Sequence, residues 1–230
     1  MIAAQKLCQS HILSEKELGV NILGQLGIPQ RTFPEECLYI LLQLLNTETN
    51  SQILSSIGIA LGHLKDPRTV KLLVKFKNHP HEDVRYGVVS GISGHETPLA
   101  IDALVELTAD NDADVRNWAT FGLGTLIDTD TTRIREALWQ RLIEEDIDTN
   151  ENYEIYGEAL VGLARRKDQR IIPILRKELE SDQVSVLAVE AAAEIGDIRL
   201  YPALMLLKEW WSLNQDALSE AIKSCQRISL

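Results

Sequence analysis

The chain has 230 residues, 45% of them hydrophobic but only 5% aromatic, so its core is built from Leu, Ile, Val and Ala. With 34 acidic residues against 23 basic ones the formal charge is −11. A surface that neutralises phosphate needs a basic face, because counterion release drives that binding, so nucleic acid and anionic membranes are set aside.

Three cysteines, Cys8, Cys37 and Cys225, form no CxxC and lie far apart, which argues for a reducing compartment and against a disulfide framework. The start of the chain does not read as a signal peptide, since Gln5 and Lys6 interrupt its apolar residues. No run approaches the length of a membrane span, and a cytoplasmic protein is expected.

In chain order, residues 1–13 are expected to cap one end of an array of helices. A first helix runs from Ser14 to Gly27, opened by a capping box of Ser14 with Glu17, and Pro34 to Asn46 is its partner. Helix pairs then follow at 50–64 with 68–78, 82–94 with 97–109, 113–127 with 131–145, 152–166 with 169–181, and 183–195 with 198–212. A last helix at about 215–227 covers the final pair, which has no further neighbour. The first member of each pair is called helix A and the second helix B. One continuous domain over 1–230 is expected.

The pairs rest on internal similarity. Asp83-Val84-Arg85, Asp114-Val115-Arg116 and Glu154-Ile155-Tyr156 open three successive A helices, and Gly91, Gly122 and Gly162 each fall six places after Arg85, Arg116 and Tyr156. A second element recurs at the A–B turn as Asp66-Pro67-Arg68, Asp168-Gln169-Arg170 and Asp197-Ile198-Arg199. Apolar residues then recur at three- and four-residue spacing, the helical period. Self-similarity at about 30–40 residues marks a stacked array. Acidic residues open the A helices, and Gly62, Gly94 and Gly196 lie near their ends. Glycines inside an A helix would cost about 1 kcal/mol each against Ala, so close approach of a neighbouring helix is the reason inferred for them.

The runs Ala60 to Arg68 and Ala192 to Arg199 resemble HEAT-like repeats of the phycobilisome-lyase type. Val115 to Gly124, followed by Gly157 to Arg166, is similar to a group of bacterial HEAT-repeat proteins. The resemblance covers most of the chain. It implies an all-α fold, a right-handed α–α superhelix of about six helix pairs plus a C-terminal capping helix, with the B helices lining a concave side. It transfers no catalytic residue, because these motifs are structural, and Tyr156 departs from the pattern by standing where the repeat carries Arg.

Chemistry is hard to find. Of the histidines, His63 and His95 fall in A–B turns and His79 and His81 in B–A turns, at opposite ends of helices about 15–20 Å long, so no four-ligand set closes. They read as exposed turn residues. No nucleophile lies near a His in an elbow or triad pattern, and Gly122-Leu123-Gly124 lies inside a helical repeat rather than in a phosphate loop. The carboxylates Glu144, Glu145, Asp146, Asp148, Glu151, Glu154 and Glu158 form the densest charge cluster. Asp146 to Asn150 begins like a calcium loop but lacks the central Gly, so an exposed acidic connection without metal is expected. The repeated Asp and Arg residues read as caps and ion-pair ladders between neighbouring repeats. No catalytic residue, metal or cofactor is assigned.

A surface can still be ranked. If Val70, Ile101, Ile134, Ile172 and Tyr201 form the buried row of the B helices, then Lys71, Asp102, Arg135, Pro173 and Pro202 face outward, and one turn later so do Lys75, Glu106, Trp139, Lys177 and Leu206. Trp139 stands either as a binding hot spot in this row or as core tucked into the next repeat. Trp118 is expected to pack into the stack, Phe121 to be more exposed, and Trp210 and Trp211 to seal the C-terminal end. The expected function is a non-catalytic protein-binding scaffold or adaptor, with Glu106, Arg135, Trp139 and Lys177 as contact residues and a protein partner, basic if the charge is a guide. One rival is an inhibitor or immunity-type protein that masks a basic enzyme or toxin. A second is an enzyme of chromophore-lyase or DNA-glycosylase type, whose glycosylase form the acidic charge opposes.

Overall fold

The computed structural model describes residues 1–145 and 149–226, and at 150 and 151 the backbone alone. The chain is an all-α solenoid of helix pairs, with no strand among the described residues. Its contacts divide into two compact units, Met1–Ala119 and Thr120–Leu230.

In the first unit, α1 (Ile2–Cys8) packs on α2 (Leu13–Gln25), α2 on α4 (Ser51–Leu64), and α4 on α6 (Glu82–Ile92), so the A helices form one layer. The B elements are α3 (Pro34–Thr47), α5 (Val70–Leu73) and α7 (Pro98–Leu107). Helix starts are fixed locally. The Asn50 side chain accepts from the Ile53 amide at 3.1 Å, Thr97 accepts from Ala100 at 3.3 Å, and Pro34 and Pro98 occupy first-turn positions where no amide hydrogen is needed. α4 and α6 approach so closely that a Cβ on Gly87 would lie 2.7 Å from the Ser55 Cα, while one on Gly58 would run into the Gly87 carbonyl. This is the close approach inferred from the glycine spacing.

Two local expectations are corrected here. The first A helix begins at Leu13 after Ile12, with no side-chain cap. Ser10 fixes this start instead, accepting from the Ile12 amide at 3.1 Å and donating to Glu15 at 2.6 Å. Glu17 therefore makes no capping box and reaches across to α4, accepting from Gln52 at 2.8 Å and Ser56 at 3.2 Å. α4 ends at Leu64, two residues past Gly62, with Lys65 in the left-handed cap, and Gly62 gives room to the Ser90 carbonyl. The segment 68–78 is not one helix but a short α-helix flanked by 3-10 turns at Pro67–Thr69 and Val74–Phe76.

A further helix, α8 (Ala113–Gly124), runs from the first unit into the second. The second unit contains α9 (Thr132–Glu144), α10 (Asn150–Arg165), α11 (Ile172–Leu179), α12 (Val186–Ile195), α13 (Tyr201–Leu207) and α14 (Gln215–Gln226). Its A layer is α10 on α12 and α12 on α14, and α14 buries Leu218, Ala221 and Cys225 there as a terminal cover. Thr131, Thr149 and Ser185 cap α9, α10 and α12 through their hydroxyls. Trp211 is buried with its indole N–H donating to the Val184 carbonyl at 2.8 Å, as a seal requires, but Trp210 is 53% exposed and seals nothing.

All three thiols are buried, and burial pushes those of Cys8 and Cys225 up to about 11, so neither is a thiolate at neutral pH. No helix of the described residues is long and apolar enough to cross a membrane.

Candidate functional site

The A–B turns show how the repeat sequence becomes geometry. In each Asp-x-Arg turn the Asp side chain accepts from the amide two residues on: Asp66 from Arg68 at 2.9 Å, Asp168 from Arg170 at 3.1 Å, and Asp197 from Arg199 at 2.9 Å. The same carboxylate takes the guanidinium of that Arg, which holds the Asp66, Asp168 and Asp197 carboxyls below their ordinary value. Each Arg also reaches back one repeat: Arg68 to Glu35 at 2.9 Å, Arg170 to Glu136 at 2.7 Å, and Arg199 to Gln169. The Asp and Arg residues of these A–B turns are thus the caps and ladders expected of them, whereas Asp83 and Asp114 are first-turn residues and do not cap their helices. In the A helices, Arg85 and Arg116 donate to the carbonyls five and six residues before them, and Arg85 also grips Asp110 at 2.7 Å. Tyr156 at this register is buried and stacks on Tyr153 with ring centroids 6.1 Å apart, an apolar substitute for the Arg fold-back.

The B elements follow the expected rows. Val70, Ile101, Ile134 and Ile172 are buried, and Tyr201 is half-buried. In the first unit, Lys71, Lys75 and Glu106 are exposed and Asp102 half-buried, and Glu106 forms an ion pair with Lys77. In the second unit, Pro173, Lys177, Pro202 and Leu206 are exposed, whereas Arg135 and Trp139 are half-buried.

Trp139 is neither free nor core. The Arg170 guanidinium lies over its ring, 4.7 Å from the centroid, with Asp168 and Glu136 holding that cation in place. One ring face is therefore spent on a cation–π contact inside the fold. Arg135 is committed too, donating to Asp130 at 2.6 and 2.8 Å and to the Arg166 carbonyl at 2.6 Å. Around Trp139 the second unit presents a prearranged mixed surface in which Lys177 and Leu206 project from the next two B helices.

The acidic connection differs from expectation in one respect. Glu144 is exposed, but the Glu145 side chain is only 4% exposed and accepts from buried Arg141 at 2.8 Å. A counter-charge offsets part of the cost of burying this guanidinium, and Glu145 turns inward to supply it. Glu154 is exposed, whereas Glu158 is half-buried, and burial pushes its carboxyl up to about 7. Asp146 and Asp148 lie outside the described residues, and so does the side chain of Glu151. Among the described residues no group of three or more His, Cys, Asp or Glu is placed to hold a metal ion.

The turn histidines are more engaged than the sequence suggests. His79 Nδ1 accepts from the His81 amide at 3.1 Å, His81 Nδ1 caps α6 at Asp83, and His95 is half-buried, where burial lowers its pKa. Trp118 is 39% exposed and meets Tyr86 edge-on at 6.0 Å, so it does not pack fully into the stack as expected; Phe121 is half-buried.

Two clefts in the second unit escaped the sequence reading. One, of about 630 Å³, lies along α10, α12 and α14 and is lined by Arg165, Glu190, Glu194, Asp216 and Glu220 among others. Its signal was present: Glu190 with Glu194, and Asp216 with Glu220, are like charges four apart, which repel on a helix. The other, of about 390 Å³, is lined by Tyr153, Trp210, Trp211 and Leu213. Nothing local announced it, because its walls come from residues up to 60 positions apart.

Residues 38–124 match the family described as HEAT repeats. Protein YibA of Escherichia coli is 27% identical over 208 residues, covering 87% of this chain and 71% of its own length. The X-ray structure of that protein superposes with a TM-score of 0.74 at 25% identity, covering 99% of this chain and 81% of the other. An engineered protein superposes at 0.59 with 18% identity over 97% of this chain and 67% of its own, a likeness of fold alone. Over residues 38–124 the chain is thus similar to HEAT repeats, and its fold is an all-α solenoid of the same kind.

Proposed function

We propose that this chain is a non-catalytic protein-binding adaptor, and that its B-helix surface in the second unit, around Trp139, receives the partner. The observation that carries the reading is Trp139 itself. A large ring is left half-open on an outward row, its geometry fixed by Arg170, with Arg135 beside it and Lys177 and Leu206 on the following helices. A ring held in place before binding loses little entropy when it is covered, which is what makes such residues hot spots. Glu106 belongs to the first unit, where its pairing with Lys77 makes it a secondary contact in this reading.

The test is capture from a native lysate by the wild-type chain beside Trp139→Ala and Lys177→Glu. Trp139→Ala is expected to lose a specific partner, with an affinity loss of about 2 kcal/mol or more. Lys177→Glu, at an exposed position, is expected to weaken capture at an unchanged melting temperature. Retention of the same partner by both variants would remove the B-helix surface from consideration.

The carboxylate-lined cleft of α10, α12 and α14 favours a second reading, an inhibitor that masks a basic enzyme. Tight one-to-one capture lost on Glu190→Lys or Glu220→Lys, and kept by Trp139→Ala, would select it.

A further inference from the structure

The cleft between Tyr153 and the α13–α14 connection is a separate feature of the second unit. Its walls are fixed from behind. Trp211 is anchored through its indole N–H to Val184, and its carbonyl accepts from Gln215 at 2.5 Å. The Tyr153 hydroxyl donates to Glu178, and Ser185 is held as the cap of α12, accepting from Ala188 at 3.0 Å. In front, Trp210 is 53% exposed and Leu213 70% exposed, so apolar surface that the fold has not covered lines a preformed cleft. The size, about 390 Å³, falls within the range of small-ligand sites.

The charges in this cleft have one sign. Among the described residues that line it, Asp182 carries the only formal charge. Glu178 adds a second carboxylate behind Tyr153. Aromatic faces carry negative quadrupole potential and attract cations, most of all weakly hydrated ones with an apolar shell. An anionic ligand would meet Asp182 with no counter-charge beside it.

We propose that this cleft is a binding site for an alkylammonium group, with the aromatic side chains of Tyr153 and Trp210 against the methyl or methylene shell, Trp211 behind them as the floor, and Asp182 balancing the charge. It lies apart from the surface around Trp139 and does not depend on that surface being an interface.

The probe is choline, titrated into the full chain while the indole N–H resonances of the four tryptophans are followed, beside its neutral isostere with carbon in place of the quaternary nitrogen. A peptide carrying trimethyl-lysine forms a parallel arm, and the tighter of the two cations identifies a free amine or a protein side chain as the source. Saturable shifts are expected at Trp210 and Trp211 and not at Trp118 or Trp139, with the neutral isostere weaker by about tenfold. Trp210→Ala, at an exposed position, should abolish binding without unfolding the chain, and Asp182→Asn should weaken it several-fold. Absence of saturable shifts with both cations overturns the proposal, and so does equal binding of the neutral isostere.

Discussion

Two contacts, one in each unit, keep neighbouring A helices together by different chemistry. In the first, α4 and α6 meet backbone to backbone, because Gly58, Gly62 and Gly87 remove the side chains that would hold them apart. In the second, α8 ends and α10 continues past a similar crossing, Gly124 against Gly162, but the contact is secured by a buried cation. Arg166 donates to the carbonyls of Leu123, Gly124, Ile127, Thr129 and Gly162 at 2.6 to 3.3 Å. Where an Asp-x-Arg turn joins A to B, the turn satisfies its own backbone. Between α8 and α9 that turn is missing, and the unpaired carbonyls at the helix end need donors from elsewhere. Arg166, from the next repeat, supplies them, and its guanidinium is buried although burial lowers its pKa.

Breaking the cation should have the largest effect. Arg166→Met is expected to cost about 3–5 kcal/mol, since it leaves several carbonyls of the α8–α9 link without partners. Arg166→Lys should recover little of this, because an ammonium cannot span the fork that five carbonyls define. Urea denaturation of both variants measures the loss, and a cost below 1 kcal/mol for Arg166→Met would mean that water replaces the guanidinium.

The glycine contact should come next. Gly58→Ala places a methyl against the Gly87 backbone, which cannot rotate away, and about 3 kcal/mol or more is expected. Gly94→Ala is its control. Gly94 has φ +80° and open space around it, so only backbone strain of about 1–2 kcal/mol applies there. If the two substitutions cost the same, close helix approach is not what Gly58 provides.

The smallest effect, once solvent screening of a half-buried group is allowed for, concerns Glu158 on α10. Its folded pKa of about 7 exceeds the ordinary value near 4.5, so the folded state holds a proton that the unfolded state releases between those values. Stability should therefore fall as pH rises from about 4.5 to 7, and Glu158→Gln should remove that slope. Melting temperatures at pH 5 and pH 8 test this: the variant should gain on wild type at pH 8 and not at pH 5. An equal difference at both would show the carboxyl titrating normally.

By itself the sequence determined what is local or periodic. The 30–40-residue period determined the helix pairs, the apolar spacing determined the buried row of Val70, Ile101, Ile134 and Ile172, and the Asp-x-Arg turns determined their own caps. The signal in each case is either a contact within one turn of helix or a pattern repeated from one helix to the next, so residue order alone carries it. The tertiary structure alone decided that Glu17 leaves its expected capping box for α4, that Arg170 covers Trp139, that Arg141 draws Glu145 inward, and that Arg166 completes a link about 40 residues before it. It also opened the two clefts of the second unit. Long polar side chains reach several partners at similar energy, and which one they take depends on what the next repeat places within hydrogen-bonding distance, a quantity that no window of sequence contains.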